Sequence, residues 1–345
     1  MVLPQTYLAA LLLMILTMIC WGSWVNTFKL AGKWRFELFY WDFILGAALA
    51  AALAAVTFGT LGFDGFLFTD DLMRAGKRNI VYGMGAGAIF NLGNMLLLAA
   101  VSVAGMSVAL PVGLGLGLIV AAIWGHASHP ESNPTMLLAG LAILLAAIVV
   151  NTYAYRRMEL AKARLAIKAG KAKGTVPKTS WKATILSAIG GLLMGSIYPL
   201  VEFSQKGDAG LGPYAMAFVF VAGLFFSTFI FNLFFMNLTV QGEPVEILDY
   251  LRGTWKQHGL GVLGGMVWAT GTIASFVVAS APEARLGPAM RYGLGQSAAV
   301  VGALWGLLAW KEFRGADVAV RILMGVMLIL FAGGVTLAAV ARLYP

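Results

Sequence analysis

Ten long apolar stretches, five on each side of one basic segment, constrain this chain more than any other feature of its sequence. A helix needs ~20 mostly apolar residues to cross a bilayer, and such runs recur near 7–26, 38–58, 80–101, 106–124, 135–155, 183–203, 213–237, 260–281, 287–310 and 318–340. Together they occupy most of the 345 residues and leave no room for an appended soluble module. The expected fold is an all-α polytopic membrane protein with the lipid bilayer as its solvent. Its ten transmembrane helices form two five-helix repeats, 1–155 and 183–345, joined by a connector at 156–182. Because five is odd, the second group enters the membrane from the opposite face, which is the inverted-repeat arrangement of secondary transporters.

Charge placement supports a topology rather than a nucleic-acid surface. Of the +9 formal charge, +8 lies between Arg156 and Lys182, where nine basic residues face one acid, Glu159. With ten crossings, seventeen Lys and Arg fall on the connector side and seven on the other. The positive-inside rule then predicts a cytoplasmic connector, both termini outside and residence in the cell (inner) membrane. The fifth helix is expected to run on through Arg156–Lys173 until Gly174 and Pro177 end it. The first basic residue is Lys29, so the first stretch reads as a retained span and not a signal peptide. Cys20 is the lone cysteine, which excludes a disulfide framework within the chain.

The halves repeat. Gly22-Ser23-Trp24 returns as Gly195-Ser196-Ile197, Phe90-Asn91-Leu92-Gly93-Asn94 as Trp268-Ala269-Thr270-Gly271-Thr272, and Gly113-Leu114-Gly115 with Trp124-Gly125 as Gly293-Leu294-Gly295 with Trp305-Gly306. The offsets are 173, 178 and 180 to 181 residues, in order along the chain. Glycine pairs four apart, such as Gly113/Gly117 and Gly191/Gly195, predict close helix crossings.

Polar groups inside apolar spans are costly and so point to function. The candidate solute site comprises Trp21, Ser23, Trp24 and Asn26 in the first span and Asn91 and Asn94 in the third. Tyr198 in the sixth, Trp268 and Thr272 in the eighth, and Tyr292 and Gln296 in the ninth complete it. Aromatic faces with neutral hydrogen-bonding groups suit a small, polar, ring-shaped solute such as a sugar or a ureide- or nucleobase-like molecule. Asp42 and Glu202 are the candidates for ion coupling, since a carboxyl in apolar surroundings can carry a proton. Pro111 and Pro199 each free a backbone carbonyl, of Ser107 and Gly195. Lys29, Glu37 and Glu312 read as interfacial, and Asp70-Asp71 as solvated.

His126 and His129 with Glu131 are poorly arranged for a metal, because Pro130 and a short loop intervene. No cofactor is expected, and no catalytic motif is present, which disfavours a membrane-embedded enzyme or lipid-handling protein.

Trp21-Gly-Ser-Trp24 with Lys29, Tyr40-Trp-Asp42, and Ala88-Ile-Phe-Asn-Leu-Gly-Asn94 followed by Gly105-Met-Ser-Val108 resemble the drug/metabolite transporter superfamily, nearest its ureide permease, glucose/ribose porter and rhamnose porter branches. The resemblance implies uptake of a small polar organic solute by alternating access, as symport with a cation, H⁺ often and Na⁺ in some cases. An exporter on the same fold is the alternative. A phosphate-loop-like sequence, frequent in the ureide permease connector, is absent here. Both a monomer and a homodimer stay open.

Overall fold

The computed structural model describes residues 1–128, 130, 132–168, 179–286 and 288–344. In chain order its α-helices are α1 Tyr7–Ser23, α2 Val25–Leu30, α3 Phe36–Val56, α4 Phe68–Arg74, α5 Lys77–Ala104, α6 Met106–Ser128, α7 Pro134–Lys168, α8 Thr179–Ser196, α9 Tyr198–Gln205, α10 Pro213–Asn237, α11 Ile247–Leu251, α12 Trp255–Ala279, α13 Pro288–Gln296, α14 Ala298–Leu304 and α15 Val318–Val340. A π-helical turn, Trp305–Ala309, continues α14. No strand occurs among the described residues.

Among those residues nine segments are long and apolar enough to cross a membrane, counting α1 with α2 and α8 with α9 as single segments. The expected ninth stretch, 287–310, differs. It breaks at Ser297 between α13 and α14, and its apolar part, Gly293–Ala309, is shorter than the rest. The cause is local. Ser297 N–H is shared between the carbonyls of Gly293 and Leu294, and its hydroxyl donates to Gly293 as well, at 2.7 Å. The fifth helix does continue into the connector, as far as Lys168, while Gly174 and Pro177 lie outside the described residues.

Helix starts follow the chemistry of their caps. Thr6 caps α1, Thr254 and Gln257 form a capping box on α12, and Asp317 accepts from Val320 N–H at the start of α15, each satisfying an orphan donor. Gly105 joins α5 to α6 in a single residue at φ 87, a conformation that glycine adopts without a Cβ penalty.

Packing pairs the elements systematically. α1 lies against α12 and α14, and α8 against α5 and α6; α3 lies against α12, and α10 against α5; α3 meets α10, and α7 meets α15. Lipid supplies no hydrophobic drive between helices, so close backbone approach must hold them. A Cβ on Gly191 or Gly195 would strike the carbonyls of Gly113 and Gly117.

Loops sort into two ends. At one, the Met1 ammonium donates to the Asp64 carbonyl, Asn79 donates to the carbonyls of Phe203, Ser204 and Lys206, and Asn133 N–H reaches Ala341. At the other, Lys29 pairs with Glu312, Arg35 with Glu37 and the Glu243 carbonyl, Arg157 with Asp317, and Lys182 with the Val240 carbonyl. The Glu312 end therefore carries both flanks of the basic connector.

Candidate functional site

A cavity of about 270 Å³ lies between α1, α5, α6, the α8–α9 pair, α10, α12 and the α13–α14 pair. Ligand pockets are typically about 300–1,000 Å³, so this one suits a small solute. Three helix interruptions border it. The ladder breaks at Trp24 between α1 and α2, at Ile197 between α8 and α9, and at Ser297. The first two are 173 residues apart, the offset of the repeated Gly-Ser pair.

Their causes differ. At Ile197 the ring of Pro199 lacks the N–H that the Gly195 carbonyl would have met. Near Trp24 side chains stand in: Asn26 Nδ2 donates to the Ser23 carbonyl at 2.8 Å, and the Thr27 hydroxyl donates to the Trp24 carbonyl at 2.8 Å. Pro111, by contrast, sits inside an unbroken α6.

Of the residues singled out in the sequence, Trp21, Trp24, Asn94, Tyr198, Trp268, Thr272 and Gln296 line the cavity, joined by Phe90, Phe220 and Ser275. No charged side chain lines it among the described residues. The aromatic walls are braced from behind. Trp24 packs on Phe43 with ring centroids 4.7 Å apart, and Trp268 sits between Phe43 at 5.7 Å and Phe90 at 5.4 Å. Thr272 Oγ1 accepts from the Trp21 indole at 3.1 Å and donates to the Trp268 carbonyl at 3.1 Å, fixing one Trp against the other's helix.

Other candidates lie elsewhere. Ser23 accepts from the Trp305 indole at 2.8 Å, and Asn26 Oδ1 from the Trp310 indole at 2.7 Å. Ser23 and Asn26 therefore latch the first span to the π-helical turn and to the residue that caps it, and neither lines the cavity. Asn91 is fully buried behind Asn94. Glu202 lies one turn beyond Tyr198, outside the lining, and the side chain of Tyr292 lies outside the described residues, as do His129 and Glu131.

Asp42 is buried at the Glu312 end, accepting from the Tyr250 hydroxyl at 2.6 Å and facing His258 Nδ1 at 2.9 and 3.1 Å. Burial, together with the Asp42 carboxylate that accepts its proton, pushes the Tyr250 phenol well above its usual range. The charges read as interfacial are also engaged. Glu312 bonds Lys29 Nζ at 2.6 Å, the N–H groups of Met106 and Ser107 at 2.8 Å each, and the Ser107 hydroxyl. Burial alone would raise the Glu312 carboxyl, but the Lys29 ammonium and the Ser107 donors outweigh it and hold it below the usual carboxylate range. Glu37 is fully buried against Arg35. Asp71, expected to be solvated, is buried too, and bonds Arg74 and Gly212 N–H.

Tyr40, His258, Tyr250, Trp305 and Trp310 escape sequence reasoning as site residues. Each is an aromatic or histidine near a span end or within an apolar run, where the interfacial aromatic belt gives the same signal. No cluster of three metal-ligating side chains occurs among the described residues.

No family model matches the chain. Ureide permease 1 of Arabidopsis thaliana is 22% identical, over 93% of this chain and 94% of its own. A glucose uptake protein of Bacillus subtilis is 23% identical, over 93% and 96%. One solved crystal structure superposes with a TM-score of 0.51 at 15% identity, over 98% of this chain and 99% of its own, which establishes a shared fold. The named relatives are a permease and an uptake protein, not enzymes. With nine segments long and apolar enough to cross a membrane among the described residues, these likenesses fit the drug/metabolite transporter superfamily that the sequence resembles.

Proposed function

We propose that this chain carries a small neutral solute, a sugar or a ureide- or nucleobase-like molecule, across the cell (inner) membrane by alternating access. The observation behind this reading is the uncharged, Trp-walled cavity bordered by interrupted helices at repeat-matched positions. Interrupted helices at matched positions of two repeats are where secondary transporters bind their cargo. Ten crossings in two inverted repeats agree with the main element pairing, in which α1–α12 has its counterpart in α8–α5, α1–α14 in α8–α6 and α3–α12 in α10–α5. They also agree with the loops, since the first span starts at the Met1 end and the sixth at the Glu312 end.

The Glu312 end is the cytoplasmic one in this reading, because the basic connector flanks lie there. The ties Lys29–Glu312, Asp42–His258 and Asn26–Trp310 close that end. On α8–α9 and α12 the lining residues fall in the half nearer the Met1 end, and on α1 in the half nearer the Glu312 end, so the cavity lies near the middle of the bundle. Solute enters from the Met1 side, and Asp42 takes up the coupling proton as the Glu312 end opens.

The test is uptake of radiolabelled D-glucose, allantoin or uracil into proteoliposomes under imposed H⁺ or Na⁺ gradients. Gradient-driven accumulation of one of them, diminished in Asp42→Asn, is expected. Gradient-driven efflux without uptake would establish export instead, and chemical conversion of the solute would replace transport by catalysis.

A further inference from the structure

We propose that a hydrogen-bond chain from α10 through α5 and α3 sets the Asn94 carboxamide with its carbonyl oxygen toward the cavity, so that the cargo must present an O–H or N–H there. The inference rests on reading the cavity as the cargo site and adds a requirement on the cargo's chemistry.

The polarity is set at α10. The hydroxyls of Ser227 and Thr228 both donate to the Leu224 carbonyl, at 3.1 and 2.8 Å. Their protons are committed, so each can only accept from a third group. Asn91 meets all three oxygens, Leu224 O at 3.1 Å, Ser227 Oγ at 2.9 Å and Thr228 Oγ1 at 3.0 Å. Only its NH₂ can face three acceptors, because a carbonyl carries no proton. Asn91 Oδ1 is thereby turned to Tyr40, whose hydroxyl lies 2.7 Å away and spends its single proton there. Tyr40 Oη is left as an acceptor for Asn94, 3.1 Å away, so the Asn94 atom facing it is the NH₂. With that NH₂ held toward Tyr40, one N–H taken and the other beside it, the Asn94 atom turned away from Tyr40 toward the cavity it lines is Oδ1, an acceptor. A donating cargo completes the chain, whereas a purely accepting atom at that point meets another lone pair.

All the groups in this chain are buried, and no charge lies among them to change the polarity. An unmet buried acceptor costs about 1–3 kcal/mol, and each 1.4 kcal/mol is tenfold in affinity. Tyr40 and Asn91 are thus positioning residues, and Asn94 determines specificity.

The experiment measures binding to the purified full-length protein by tryptophan fluorescence. The probes are D-glucose with each of its monodeoxyfluoro analogues, and allantoin and uracil with their N-methyl analogues. For the probe that binds, loss of one particular donor lowers affinity about 10- to 100-fold. In Tyr40→Phe, where Asn94 is released to turn its NH₂ inward, that ratio falls to within about threefold. In Asn94→Leu, which leaves the Asn91–Tyr40 pair intact, parent and analogue bind within about twofold. No donor-sensitive position in the parent protein, or an undiminished ratio in either variant, overturns the proposal.

If none of the probes binds, the choice of cargo falls while the amide assignment is decided by thermal unfolding. Asn94→Asp, unfolded at alkaline pH so that its buried carboxyl is ionised and accepts only, then lowers Tm by at least about 2 °C more beside Tyr40 than in the Tyr40→Phe background. An equal or smaller loss beside Tyr40 overturns the assignment.

Discussion

The two halves of the cavity wall carry the same positions and different chemistry. At the 178-residue offset Asn91 and Asn94 of the third span correspond to Ala269 and Thr272 of the eighth. In the first half the polar group is held by a buried relay through Tyr40 to α10. In the second, Thr272 bonds directly to its own helix and to Trp21 of α1, with no relay behind it. One wall presents an oriented acceptor, while the other presents indole faces held in place. The outer ends diverge as well. Lys29 and Glu202 stand 173 residues apart, so the matched positions carry opposite charges. In the proposed two-repeat reading, the interruptions at Trp24 and Ile197 stay matched while the two sides of the wall differ, one suited to hydrogen-bond selection and one to stacking.

Substitutions probe this asymmetry. The largest effect is expected from Trp268→Ala, which removes a ring packed between Phe43 and Phe90. It should cost on the order of 3–5 kcal/mol and abolish ligand-dependent fluorescence quenching. Stability within about 1 kcal/mol of the parent would deny this wall its bracing role.

Asn91→Leu should cost about 1–3 kcal/mol, because the Tyr40 proton loses its acceptor. Thr272→Val in the opposite wall should cost less, about 1 kcal/mol, since the Trp21 indole N–H that loses its acceptor is only part-buried. Unfolding both by heat in the same detergent tests the ordering, and a larger loss for Thr272→Val would reverse the comparison.

Glu312 has a depressed folded-state pKa, so its contribution is complete above the unfolded value of about 4.3 and is lost as pH falls through the lower folded value. Tm should therefore fall with acidification below about pH 4.3, and the fall should be shallower in Glu312→Gln. Parallel curves for the two proteins would show that the Lys29 pair contributes nothing. The smallest change is expected for Ser23→Ala, about 0.5–1 kcal/mol, with ligand affinity unaltered because Ser23 bonds Trp305 outside the cavity.

Much of the fold is legible in the residues because lipid permits so few solutions. Nine of the ten apolar stretches correspond to long helices, with ends near caps such as Thr254 and Asp317. The ninth stretch reads as one helix by hydropathy, since its break at Ser297 comes from hydrogen bonds that composition does not reveal. Among the site candidates, Trp24 and Asn94 share the cavity, whereas Ser23, Asn26 and Asn91 do not line it. At the α1–α2 junction Ser23 and Asn26 lie one and two residues from Trp24, about 100° and 200° around the helix, and only the placement of Trp305 and Trp310 shows which faces turn from the cavity. His258 stands 216 residues from Asp42, a separation with no local signature.

The sequence by itself determined the membrane class, the helix positions, the single basic connector and the repeated segments, because hydrophobic length and charge placement are read one residue at a time. Only the tertiary structure decided which polar groups face the cavity, which tie helices together, and which way the Asn94 amide points. Those outcomes depend on hydrogen-bond partners brought from distant spans, and a proton can be donated only once.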